Sequence, residues 1–130
     1  KGSKISLLAL DRILEIKEEN TVKYIPPPID IFRYFDDVIG VSKTARQRAR
    51  KIILRIQKKQ MPYLLTKPLH SSQQVLKEED GWITFRITVI WNYELEREIL
   101  GLGEVVEVMS PKRLREKIKK RLMAAGDIYK

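Results

Sequence analysis

The sequence predicts an α+β fold built on a four-stranded antiparallel sheet, and three observations carry that expectation. Residues 82–91 alternate strictly, with Ile83, Phe85, Ile87, Val89 and Trp91 on one face and Trp82, Thr84, Arg86 and Thr88 on the other. Residues 50–57 alternate as well: Ile52, Leu54 and Ile56 read as inward, Lys51, Arg55 and Gln57 as outward, and Ile53 is the exception. Around these runs lie helical stripes bounded by capping residues, prolines and glycines.

The elements follow in order. Residues 5–16 (ISLLALDRILEI) suit a strand, with Leu8, Leu10 and Arg12 on one face and Leu7, Ala9, Asp11 and Ile13 on the other; a short helix fits the same residues. Pro26-Pro27-Pro28 lacks amide donors and reads as a stiff linker, so a boundary is placed there. Asp30 is placed to cap a short helix through residue 39, with Ile31, Phe32, Phe35 and Ile39 as its apolar side and Gly40 as its left-handed stop. Residues 58–67 suit a short helix ended by Pro68, and Gln74 to Glu79 a strand joined to the next by an Asp80-Gly81 hairpin turn. Asn92 is a helix cap ahead of the stripe Leu95, Ile99 and Leu100, which Gly101 and Gly103 end. Glu104 to Met109 reads as a strand. Ser110-Pro111 opens a last helix with inner stripe Leu114, Ile118 and Leu122 and Gly126 near its stop. From Arg46 to Met109 the order is strand, helix, strand, strand, helix, strand. That is the ferredoxin-like βαββαβ plan with both helices on one face, here with an added C-terminal helix.

Composition narrows the function. The 130 residues fit one ordinary domain and a fragment of a second. A 43% hydrophobic share supports a core and departs from the signature of disorder. No apolar run reaches the roughly 18 residues of a membrane span, and Lys1-Gly2-Ser3-Lys4 does not begin a secretory signal. The absence of cysteine excludes disulfides, thiolate zinc sites and Cys nucleophiles, and suits a reducing cytoplasm. With 26 Lys and Arg against 17 Asp and Glu, the net charge of +9 favours polyanionic partners through counterion release. The charge is clustered: eight basic residues fall in 43–59 and seven in 112–121. Solvated faces of an ordinary domain would carry the same charge, and both readings stand.

Individual motifs divide in the same way. Residues 36–51 (DDVIGVSKTARQRARK) imitate a helix-turn-helix, but a reading helix needs an apolar stripe after residue 43. The apolar residues instead come at 52, 53, 54 and 56, so a basic loop leading into a strand is favoured. His70 is the only histidine, which argues against a metal site. A Ser-His-acid triad through Ser71 or Ser72 lacks a nucleophile-elbow glycine context. No catalytic residue, metal or cofactor is therefore expected, and the chain is read as a non-enzyme. In Leu69-His70-Ser71-Ser72-Gln73 the polar side chains either satisfy a turn and strand start, or place His70, Ser72 and Gln73 around a ligand or a partner subunit. Arg86 is sheet-surface charge first and a ligand contact second. Lys112 and Arg113 sit in the first turn of the last helix, where the macrodipole disfavours cations. With Lys117 of the same cluster they form either a phosphate-attracting helix start or a solvated basic face.

Three segments also resemble the C-terminal half of WYL-domain transcription regulators. Leu10-Asp11-Arg12-Ile13 resembles the last strand of the WYL domain, a small Sm-like barrel. Residues 35–41 (FDDVIGV), the Lys51–Ile56 strand and residues 69–73 (LHSSQ) resemble the entry to the WYL C-terminal extension, or WCX, domain. Leu100-Gly101-Leu102-Gly103, Val106-Glu107-Val108, Ser110-Pro111 and Leu114-Arg115 resemble its closing strand and helix. The resemblance covers nearly the whole chain. It implies a WYL remnant with one barrel strand over 1–20, a Pro-rich linker with a short helix over 21–41, and a ferredoxin-like extension domain over 42–130.

The functional expectation follows from that resemblance. The chain is read as the effector-sensing and dimerisation region of a bacterial regulator, homodimeric at full length and not membrane-bound. Its implied effector is single-stranded DNA or a nucleotide-like molecule. Operator DNA would be bound by a winged helix expected, like the Trp-Tyr-Leu triad that names the family, ahead of residue 1; Trp91-Asn92-Tyr93 is not that triad. Arg12 is an effector candidate by position in the remnant strand, or else a structural salt-bridge partner. Two rivals remain. One is a stand-alone ferredoxin-like nucleic-acid-binding module that uses its sheet face as RNA-recognition modules do, with Trp82 its outward aromatic. The other is a small-molecule enzyme, but the acidic Glu78-Glu79-Asp80 is most simply a soluble hairpin.

Overall fold

Strand β1 (Arg50–Gln57) buries Ile52, Leu54 and Ile56 and leaves Ile53, Arg55 and Gln57 half-buried on its other side, as its period of two requires. These positions come from a computed structural model that describes residues 6–44 and 46–130. A 3-10 turn (Lys58–Gln60) leads into α1 (Met61–Thr66), which buries Met61 and Leu64 and stops ahead of Pro68. The edge strand β2 (Gln74–Glu79) and β3 (Trp82–Val89) form a hairpin. At its tip Asp80 (φ 53°) and Gly81 (φ 79°) are both left-handed, the backbone that a two-residue hairpin turn favours. Helix α2 (Tyr93–Leu102) is capped by Asn92, whose side chain accepts the Leu95 N–H at 2.8 Å. A 3-10 turn (Gly103–Val105), β4 (Val106–Ser110) and α3 (Lys112–Ile128) complete the chain, with Pro111 at the N-cap of α3.

The sheet order is β2-β3-β1-β4, and every adjacent pair is antiparallel. One face is the core. There Ile52, Leu54, Ile83, Phe85, Ile87, Val89 and Val108 meet Met61 and Leu64 of α1, Leu95 and Ile99 of α2, and Leu114 and Ile118 of α3. The first half of α3 is therefore part of the domain. Its later half buries nothing: Leu122, expected on the inner stripe, is 44% exposed. The opposite sheet face carries Arg55, Trp82, Thr84, Arg86, Thr88 and Glu107, all half-buried. Strand β2 is exposed along its length, and the charges of Lys77, Glu78 and Glu79 discourage further strand pairing at that edge.

Three expectations differ from what is found. No strand occurs over residues 6–16. A 3-10 turn (Leu10–Arg12) lies there instead, with its side chains exposed, because no described segment offers a partner ladder for the backbone. Residue 5 of that span and Lys1 to Lys4 lie outside the described residues.

The helix expected over 30–39 is a succession of turns. Asp30 does cap it, accepting the Phe32 N–H at 3.0 Å, and i+3 bonds follow at Arg33, Asp36 and Val38. Phe32 is nonetheless 96% exposed, and Val38 is the residue that buries. The carbonyls that a helix would use are drawn to the folded body: Asp37 O accepts the Ile90 N–H at 2.7 Å, while Ile39 O and Ser42 O each accept from Asn92 Nδ2 at 3.0 Å. Gly40 has the expected left-handed φ of 74°, and a Cβ there would lie 2.6 Å from Glu94 Cγ. The same tie at Ile90 ends β3 at Val89. Trp91 therefore lies beyond the strand expected to include it, half-buried, and it still packs against the core as its inward assignment required.

Candidate nucleic-acid interface

The basic run ahead of β1 lies beside the end of β3, because Arg50 pairs with Val89 in the ladder and Gln47 Nε2 donates to Trp91 O at 3.3 Å. Helix α3 flanks the other side of Trp91. Between them is an open groove of about 810 Å³ whose walls include Arg46, Arg48, Arg50, Trp91, Lys117 and Arg121. The two basic clusters, more than fifty residues apart in sequence, thus converge on one indole. A second hollow of about 410 Å³ adjoins it, lined by Lys112, Arg113, Glu116 and Lys120 and sharing Trp91 and Lys117.

Two acids lie among these cations: Glu116 borders the smaller hollow, and Glu96 lies in the groove itself. Glu96 of α2 is 5% exposed and accepts from Trp91 Nε1 at 2.8 Å, Lys117 Nζ at 3.1 Å and Arg121 Nη1 at 3.1 Å. Burial works against its charge, but the indole N–H and the two α3 cations outweigh that and hold its carboxyl below the usual range. Lys117 Nζ also stands 5.8 Å from the centre of the Trp91 ring, within cation–π reach. Arginine forks match phosphate oxygens in pairs, and an indole face stacks bases with little sequence preference. An open, cation-lined groove suits a chain of phosphates better than a small enclosed ligand.

The remaining sequence candidates are distributed unevenly. His70, Ser72 and Gln73 come together, but as a knot of structural bonds. His70 Nε2–H donates to Asp36 O at 2.6 Å, and Nδ1 accepts the Ser72 N–H at 3.1 Å. Ser72 Oγ accepts the Thr88 N–H at 2.8 Å, supplying a rung to β3 just beyond the end of β2. Gln73 donates to Leu64 O and accepts from Leu69 N–H, both at 3.0 Å. The knot ties the 30–41 segment, α1 and β3 together. Ser72→Ala is expected to lower stability by about 1–3 kcal/mol, because the Thr88 N–H loses its partner. A urea melt superimposable on the parent's would remove Ser72 from the supports of the fold.

Arg86 lies on the outer sheet face, donating to Gln74 Oε1 at 2.6 Å. Arg12 sits in the exposed 3-10 turn and lines neither hollow. On that outer face Trp82 is covered by the Arg55 guanidinium at 4.5 Å from its centroid, and Arg55 is itself held by Glu107 at 2.7 Å. Arg115 pairs with the same carboxylate.

Trp91 and Glu96 were absent from the sequence candidates. The signal for Trp91 is Val89-Ile90-Trp91, three apolar residues in succession where alternation should continue, immediately before a capping Asn. For Glu96 it is a carboxylate next to Leu95 in the stripe that α2 buries. Among the described residues no helix is long and apolar enough to cross a membrane. The model of the WCX domain family matches residues 48–126, more than half of the chain. No curated protein matches it.

Proposed function

The chain belongs to the WCX domain family, and from that membership we propose that it is the C-terminal effector-sensing and dimerisation region of a bacterial, cytoplasmic WYL-type transcription regulator. In this reading residues 48–126 are the extension domain, ferredoxin-like in its β2-β3-β1-β4 order, and α3 is an addition to that plan. Residues 1–20 are the end of a WYL barrel, in which Arg12 acquires its role. The single observation that carries effector binding is the convergence of both basic clusters on Trp91. The ligand is single-stranded DNA or a nucleotide-like anion. Its phosphates lie along Arg46, Arg48 and Arg50, and a base stacks at the indole.

No bond is broken and no cofactor takes part. The effector binds one of two arrangements of a homodimer more tightly and so changes the affinity of the regulator for operator DNA. The rival that reads nucleic acid on the open sheet face has less support, since its outward aromatic, Trp82, already stacks on Arg55.

A fluorescein-labelled 12-mer of deoxythymidine tests the reading by anisotropy. With four or five phosphates neutralised, log affinity should fall against log salt with a slope of roughly −3, at about −0.7 for each contact. Reversing Lys112 and Arg113 to Glu should flatten that slope by about 1.4 and leave the melting temperature little changed or slightly raised, both side chains being exposed in the first turn of α3. Lys117 is a less clean site for reversal because it is bonded to Glu96. Absence of binding at low salt, or binding indifferent to salt, would leave the basic clusters as a solvated surface.

A further inference from the structure

The groove is not simply cationic. Glu96 places a carboxylate at its base, and that carboxylate already engages two of the cations that an anionic ligand would use. It reaches from α2 to Lys117 and Arg121 one helical turn apart on α3, and it fixes the Trp91 indole through Nε1. Hydrophobic contact between α2 and α3 needs no charge, and a glutamine could accept the indole N–H equally well. What glutamine could not do is neutralise Lys117 and Arg121. At 55% and 40% side-chain exposure, both can turn from Glu96 toward the groove.

We propose that Glu96 is a resident counter-anion of the groove: it holds Lys117 and Arg121 in the empty state, and an incoming phosphate chain draws them away, loosening the clasp between α2 and α3. The inference rests on the reading of the groove as a nucleic-acid site and adds how that site is tuned. The carboxylate lowers affinity for weakly charged anions, which cannot compensate both cations. It also links occupancy of the groove to the placement of α3, the helix that follows the closing strand β4. A ligand that binds only when the clasp is open shifts the open population by its differential affinity.

The test is the deoxythymidine 12-mer against the parent chain and Glu96→Gln. The variant should bind about three- to tenfold more tightly, the gain from removing one like charge within several ångströms of the phosphates. Its salt slope should steepen by about 0.7 for each cation released. Adding Lys117→Gln and Arg121→Gln should abolish the gain. Equal or weaker binding by a natively folded Glu96→Gln would overturn the inference while leaving the groove reading intact. Binding by neither protein would overturn both, and binding by the variant alone would overturn the exchange, because no phosphate chain would then draw the cations from Glu96 in the parent. Should Glu96→Gln fail to fold, the parent still decides. In a Trp82→Phe background the single indole N–H resonance, that of Trp91, should move on titration with the 12-mer. A resonance unmoved at saturation would show that the clasp stays shut.

Discussion

Phe85→Ala is expected to cost about 3–5 kcal/mol, a large part of the roughly 5–15 kcal/mol that separates a folded domain from its unfolded chain. Phe85 is fully buried and lies on β3, between β2 and β1, opposite Val75 on one side and Leu54 on the other. It belongs to one core that also takes in residues of α1, α2 and α3, so the space it leaves is bounded by several packed elements. The transfer cost and the cavity cost therefore add. Phe32→Ala supplies the contrast. That ring is 96% exposed, and its removal should stay within about 0.5 kcal/mol. Urea melts of the two variants beside the parent measure both. A Phe85→Ala midpoint close to that of Phe32→Ala would mean that β3 does not run through the centre of the core.

The sheet was legible in the sequence because its determinants are local. Ile52, Leu54 and Ile56, and then Ile83 through Val89, each mark a buried face by their own period. Asp80-Gly81 sets the hairpin by its backbone, and Asn92 starts α2 by its side chain. What escaped the sequence was set by contacts distant along the chain. Ile31, Phe32 and Phe35 have helical spacing, yet the carbonyls of Asp37, Ile39 and Ser42 are taken by Ile90 and Asn92, some fifty residues away, and turns result. The same bond to Ile90 stops the alternation before Trp91.

The site divides along this line too. The charge of the two clusters was plain, and Lys112, Arg113 and Lys117 do border the hollows around Trp91. Their meeting with Arg46, Arg48 and Arg50 depends on the register of β1 against β3 and on α3 packing Leu114 and Ile118 into the core. Glu96 was invisible for a related reason. A carboxylate in a buried stripe looks like an error of amphipathicity until its partners on α3 are in place. His70, Ser72 and Gln73 had the composition of a ligand site, but their hydrogen bonds are spent on Asp36, Thr88, Leu64 and Leu69.

Reversing Arg46, Arg48 and Arg50 to Glu is expected to weaken binding of the deoxythymidine 12-mer about a hundredfold or more at low salt. Each arginine is exposed, lines the groove and makes no ion pair among the described residues, so its charge is available to a phosphate. A close pair of unit charges in a high-dielectric setting is worth about 1 kcal/mol, and three such losses multiply to roughly two decades of affinity before any repulsion is counted. The salt slope should fall by about 2, from roughly −3 to roughly −1. Thermal stability should hardly change, since no buried contact is removed. The decisive comparison is a second triple reversal, Lys51, Lys59 and Lys67 to Glu, which alters net charge equally at three exposed positions outside the groove. If the chain binds through diffuse charge, both triples lose affinity alike. If it binds where the two basic clusters meet at Trp91, the arginine triple loses most of it and the lysine triple loses severalfold at most. Equal losses would remove the groove as the site, whatever the affinity of the parent.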